Sequence, residues 1–121
     1  MTLVNLTPHL LCVMASSGAV LLELPRCEVP ARMTQEVVRT ETLPAPDGPV
    51  PVDVIGYLHP IALPPPRPGT WYVVSRVVAR DVPRADLVFP DEEVRDDRGA
   101  IIGCRRLARF HQGSFLRPAD T

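Results

Sequence analysis

Proline is the residue that most limits what this chain can become: 15 of the 121 positions carry it, from Pro8 to Pro118. Each proline fixes its own φ and removes a backbone donor. Helices are cut short, and strands are confined to short lengths or sheet edges. Long helical bundles are therefore excluded. The apolar fraction of 45% is too high for disorder along the whole chain. Aromatic residues make up only 5%, so the core must be Val, Leu, Ile and Ala. The expected fold is mainly β, a β-rich α+β domain. It is read as a compact small sheet or partly open barrel of short strands and hairpins with one short helix. The length suits one domain, assigned to residues 1–107. Residues 108–121 are expected to be a tail, flexible or at a subunit contact.

The strands are read from period-two apolar patterns between turn signals. Residues 2–6 form the first, stopped by Thr7-Pro8-His9. Residues 10–14 and 19–24, around Ser16-Ser17-Gly18, form a hairpin. Residues 33–43 are rich in Thr and Val, which favours a strand. A Pro-Ala-Pro-Asp-Gly-Pro loop follows. In residues 50–58, Val50, Val52 and Val54 alternate with Pro51 and Asp53, the pattern of a half-buried strand, with Pro51 placing it at an edge. The segment Leu63-Pro64-Pro65-Pro66-Arg67-Pro68 reads as a stiff connector, with polyproline recognition the other use of such a stretch. Trp71-Tyr72-Val73-Val74 is the most apolar strand. Ser75 follows as an N-cap, and residues 76–81 form the helix, which ends before Pro83. Residues 87–89 are a short extended piece, and residues 94–104 form a hairpin turning at Asp97-Arg98-Gly99-Ala100.

The 13 basic residues are all arginine, and they nearly balance 14 acids for a net charge of −1. Arginine suits bidentate recognition of phosphate or carboxylate, but the composition is skewed throughout, as a GC-rich genome would make it. The charge balance gives no general attraction to nucleic acid or to a membrane surface. Acids outnumber bases over residues 81–98, whereas residues 104–117 carry Arg105, Arg106, Arg109 and Arg117 without an acid. The two stretches could pair, or the basic end could meet an acidic partner or an RNA phosphate. Cys12, Cys27 and Cys104 cannot all pair within the chain, and no secretory signal or membrane-length apolar run is evident. Reduced thiols in the cytoplasm are expected.

Candidate chemistry centres on a polar set within this apolar chain: Asn5, Thr7, His9, Arg32, Ser75, Arg76, Arg84, Asp86 and Arg95. A strand ending at Ser75 and opening a helix presents backbone N–H groups beside a hydroxyl, to which Arg76 and Arg84 could add charge-assisted hydrogen bonds. An ordinary helix cap is the simpler account of the same serine. Arg84, Asp86, Asp91 and Arg95 could line a polar pocket or tie a loop down by ion pairs. His9 could act as a base, but no His, Cys or Asp spacing matches a metal site. Cys104 beside Arg105 could be activated, although a buried inert thiol is the simpler account. No P-loop, Rossmann fingerprint or nucleophile elbow is present. No metal, cofactor or catalytic residue is therefore assigned.

Several of these segments resemble one family. They are Asn5-Leu6-Thr7-Pro8-His9, Leu24-Pro25, Ala31-Arg32, Gly69-Thr70 with Tyr72-Val73-Val74-Ser75, Arg84-x-Asp86-Leu87 with Pro90-Asp91, and Val94-Arg95-Asp96 leading to Gly99 and Ile101-Ile102-Gly103-Cys104. Together they resemble an uncharacterised family of small proteins encoded by actinobacteria and by phages and prophages. The Asn-Leu-Thr-Pro-His opening is the most specific part. The Pro64-Pro65-Pro66 stretch and the region after Leu107 depart from the pattern. The resemblance implies a real domain and transfers no activity.

Three functions are compatible with these residues. The first is a non-enzymatic protein capturing a small anionic ligand, such as a nucleotide or nucleotide-derived signal. The second is a structural or interaction subunit that self-assembles or docks on a larger partner. The third is a small hydrolase or transferase using His9 with a carboxylate such as Asp86. The order given is the order of preference from sequence, with nucleic acid reached only through the basic tail.

Overall fold

Where the prolines and turn residues leave the chain uninterrupted, the described residues form eight strands and one short helix. The computed structural model describes residues 1–111. In chain order these are β1 (Thr2–Asn5), β2 (Leu11–Met14), β3 (Val20–Leu24), β4 (Arg32–Leu43), β5 (Val50–Ile61), β6 (Thr70–Val73), α1 (Arg76–Asp81), β7 (Leu87–Arg95) and β8 (Ile101–Ala108). They divide into a six-stranded sheet, ordered β1-β6-β7-β8-β2-β3, and a separate two-stranded ribbon of β4 and β5. We call these the body and the arm.

In the body, β1, β6 and β7 run parallel, with Asn5 beside Val73 and Val73 beside Val88. A parallel pair cannot be closed by a tight turn. The β6–β7 connection is made by α1, and the β1–β6 connection contains the β2–β3 hairpin, the arm and the proline-rich segment. Strands β7 and β8 are antiparallel, as are β2 and β3, while β8 and β2 meet in parallel at Val13 and Cys104. That last contact needs Gly103, since a Cβ there would lie 2.8 Å from the Cys12 carbonyl oxygen.

The sheet buries both faces. On one, Val78, Ala79 and Val82 of α1 and its C-cap pack with Leu6, Ala31, Tyr72, Val74, Leu87 and Phe89. On the other, Leu11, Val13, Val73, Val88 and Cys104 form a second cluster that Leu3 and Trp71 join from one side and Leu22 and Leu24 from the other. Residues of both edge strands thus reach one cluster, so the sheet curls without closing. Phe110 stacks on Phe89 with ring centroids 5.0 Å apart, extending the packed region past β8. The rest of the expected tail, residues 112–121, lies outside the described residues.

The proline-rich segment is a strap. It carries the chain from the arm back to the start of β6 and is held by Arg84 Nη1 donating to the Pro64 carbonyl at 2.8 Å. The chain enters it through Ala62, whose φ of 57° is a left-handed conformation that a residue with a Cβ seldom adopts.

Two expectations are corrected. Residues 87–95 are one continuous strand through Pro90 rather than two pieces. The alternating valines of residues 50–54 do form a strand, but Val50 and Val52 are exposed rather than turned onto a core.

Candidate functional site

The opening motif is a folding device. Asn5 is 8% exposed, and all of its side-chain hydrogen-bonding capacity is taken up. Its Nδ2 donates to the carbonyls of His9 at 2.8 Å and Pro25 at 2.9 Å. Its Oδ1 accepts from the Thr7 N–H at 3.0 Å and the Thr7 hydroxyl at 2.7 Å. An Asn bonding the backbone two residues ahead is an Asx turn. Here it turns the chain out of β1 and ties that exit to the segment after β3. Thr7 is buried with it, whereas the His9 ring stands exposed.

Ser75 is an ordinary helix cap, its Oγ accepting from the Val78 N–H at 3.3 Å. Arg76 does not turn toward it; its guanidinium lies over the Phe89 and Phe110 rings, 5.1 and 5.6 Å from their centroids. Arg84 grips Asp86 with Nε to Oδ1 at 3.0 Å and Nη2 to Oδ2 at 2.7 Å, and lies over the Tyr72 ring. The Arg84 guanidinium holds the Asp86 carboxyl below its ordinary range, chiefly through these hydrogen bonds. Arg95 closes the β7–β8 hairpin by donating to the Gly99 carbonyl at 2.7 Å and pairing with Glu93. Arg32 opens β4 with its side chain exposed.

The parallel strands set where these residues lie. Asn5, Thr7, His9 and Ser75 lie at or just beyond the carboxyl ends of β1 and β6, while Arg84 and Asp86 precede β7 at the opposite end. Arg95 sits on a hairpin beyond them. The expected set is thus divided among separate places, and His9 and Asp86 lie at opposite ends of the parallel strands. The acidic and basic stretches do meet, through the Arg106–Glu92 ion pair across β7 and β8.

Beside His9 runs an open groove of about 750 Å³, formed by the β1–β2 connection, the start of β2 and the β7–β8 pair. Its walls are mostly apolar, with Leu10, Ile101 and Ile102 prominent and His9 and Glu93 at the polar positions. Cys104 also borders it, but burial pushes that thiol up, away from the reactive thiolate. Among the described residues, no group of three or more His, Cys, Asp or Glu is placed to hold a metal ion. No helix among them is long and apolar enough to cross a membrane.

The surface that sequence reasoning missed is the arm. Its strands are 12 residues each, whereas β1, β2 and β6 have four. Along it Val37, Val38, Leu43, Val52, Ile55 and Leu58 are exposed. Its base is anchored by Ala31 and Met33 against the core beneath α1. The available signal was the pairing of two long β-prone runs around a loop of prolines and Gly48. Both runs are strands, and neither holds enough apolar residues to be buried on both faces. The chain matches no protein-family model, and no significant match is found among curated proteins or solved structures.

Proposed function

We propose that this chain is a non-catalytic protein-interaction subunit, with the β4–β5 arm as its contact surface and a protein surface as its occupant. The observation that carries this reading is the exposure of large apolar side chains along a paired ribbon that is anchored to the body at its base. A two-stranded ribbon is marginal in water on its own, and monomers seldom expose contiguous apolar patches of more than a few hundred Å². Packing against another protein relieves both conditions. Capture of a small anionic ligand has weaker support. Asn5, Thr7, Ser75, Arg84 and Asp86 are already engaged with neighbouring groups of the fold.

A photo-activated cross-linker placed at Val52, compared with one at exposed Leu21 on the body, tests this reading. Efficient protein adducts from Val52, abolished by Leu58→Asp on the same arm, are expected. Equal adducts from both positions, or none from Val52, would remove the arm from the function. A saturable thermal shift with inorganic phosphate or a nucleotide that is lost in Arg84→Met would restore the small-ligand reading.

A further inference from the structure

The arm has two unlike faces. Residues directly opposite one another in a ladder share a face, and alternate residues along a strand share it too. Val50, Val52, Val54 and Leu58 therefore lie on one side of β5, with Leu43 opposite Val50. A bulge in β4 between Val37 and Arg39 sets Val38 beside Gly56, where a Cβ would come 3.3 Å from the valine Cγ2. An apolar stripe thus runs from tip to base. The other face is polar toward the tip, where Thr42 stands and the Thr40 hydroxyl donates to Asp53 at 2.9 Å, and carries exposed Val37, Ile55 and Tyr57 nearer the base.

Three features point to the occupant. First, the stripe's charges are largely self-cancelling: Arg39 and Glu41 lie on this face and pair at 2.9 Å, with Glu36 at its proximal border. With one arginine against two glutamates, the face keeps only a small net negative charge and offers little repulsion to a copy of itself. Second, Val38, Leu43 and Leu58 are each more than half exposed. With the valines, they offer apolar surface on the order of several hundred Å². That is the scale of a standard interface, which buries about 800 Å² per partner, a little over half of it apolar. Third, the arm's edges are blunted: Pro51 and Pro60 lack N–H groups and β4 is bulged. Edge-to-edge pairing is thereby discouraged while the face stays open.

We propose that two copies of this chain form a two-fold symmetric dimer in which the Val38–Val52–Leu58 face of one arm packs on the same face of the other. Such a contact is isologous, each patch meeting itself across the axis. It rests on the interaction reading above and names the partner.

Sedimentation velocity of the full chain over a range of concentrations tests it, with Val52→Asp on the stripe and Thr42→Asp on the opposite face. The wild type is expected to sediment as a dimer that dissociates on dilution. Val52→Asp buries an unpaired charge on each side of the axis and should weaken association by at least about 100-fold. Thr42→Asp should change it by less than about threefold. Circular dichroism at low concentration reports whether each variant keeps the wild-type fold; should Val52→Asp not keep it, Val52→Thr replaces it, with a weaker dimer expected. A monomer at every concentration overturns the proposal; if Val52 still cross-links to a different protein, the interaction reading stands and only the partner is wrong. A dimer indifferent to Val52→Asp lies on another surface and overturns the proposal; the interaction reading falls with it only where Val52 also yields no protein adduct.

Discussion

The centre of the body and the arm use the same β-branched residues under opposite conditions. Val73, Val74 and Val78 in the body have no exposed surface, whereas Val37 and Val38 on the arm are more than half exposed. Around Val73 and around Val37 alike the chain forms a strand, because extended backbone and β-branched side chains are compatible whether or not a second layer covers them. What differs is the covering. The body's parallel strands are brought together by α1 and the proline strap, and each face acquires a packed layer. The arm is a local hairpin, made by adjacent stretches of chain around one loop, and nothing in its topology folds a layer onto it. The body supplies stability, and the arm supplies surface.

If that division is right, the largest losses come from the centre of the body. Leu87 is 1% exposed and packs in the cluster beneath α1. Leu87→Ala should cost about 2–5 kcal/mol in urea unfolding. A loss below about 1 kcal/mol would mean that the body is not the close-packed unit described. Asn5→Ala comes next. It removes no apolar core volume but strips the partners of the Thr7 N–H and the Pro25 carbonyl, and one of the two donors to the His9 carbonyl, for a loss of about 2–3 kcal/mol. Asn5→Asp should not rescue it, because a carboxylate cannot donate to those carbonyls. Rescue by Asp would show that the acceptor side of the network matters alone.

The Arg84–Asp86 pair is smaller and depends on pH. Arg84→Met should cost about 1–2 kcal/mol near neutrality by releasing Asp86 and the Pro64 carbonyl, both at the rim of the body. The folded state holds the Asp86 carboxyl below its ordinary value of 3.8. Its stabilisation is therefore present above that value and lost as pH falls through the lower folded one. Wild-type stability should fall on acidification below about pH 4, and Arg84→Met should flatten that part of the curve. An unchanged acid limb would leave Asp86 stabilised by something other than Arg84.

Most local structure was legible. Ser75 and the helix after it were read to the residue, because capping and the approach of Pro83 are encoded within a few positions. The hairpin turn before β8 was equally plain. Asp96 Oδ1 accepts from the Arg98 and Ala100 N–H groups, and Gly99 takes a φ of 83°. The parallel pairing of β1 with β6 was not legible, since it joins residues some 70 positions apart. That order then decided the fate of the candidate site. His9 and Asp86 were plausible partners by residue type, and topology put them at opposite ends of the same strands. The arm misled in another way: Val50, Val52 and Val54 alternate as a half-buried strand does, and only the three-dimensional arrangement reveals that no core lies beneath them. Asn5 and Thr7, chosen as ligand contacts, serve the turn because both are buried within reach of backbone groups.

The smaller effects lie at the helix cap and on the arm. Ser75→Ala should cost about 1 kcal/mol, with Ser75→Asp restoring most of it, as for any cap on a short helix. The sharpest comparison is one substitution made twice. Val74→Ala, at 0% exposed, removes methyl groups from a packed layer and should destabilise the chain by about 2–3 kcal/mol. Val52→Ala, at 41% exposed, removes the same groups from a solvated face. Measured at concentrations low enough to keep the chain monomeric, it should change stability by less than about 0.5 kcal/mol. At high concentration its cost should rise, because burial of Val52 then depends on association, and the difference between the two conditions reports the contact alone. A Val52→Ala cost near that of Val74→Ala in the dilute monomer would mean that the arm folds back onto the body. The division between a stabilising body and an exposed arm would then be lost.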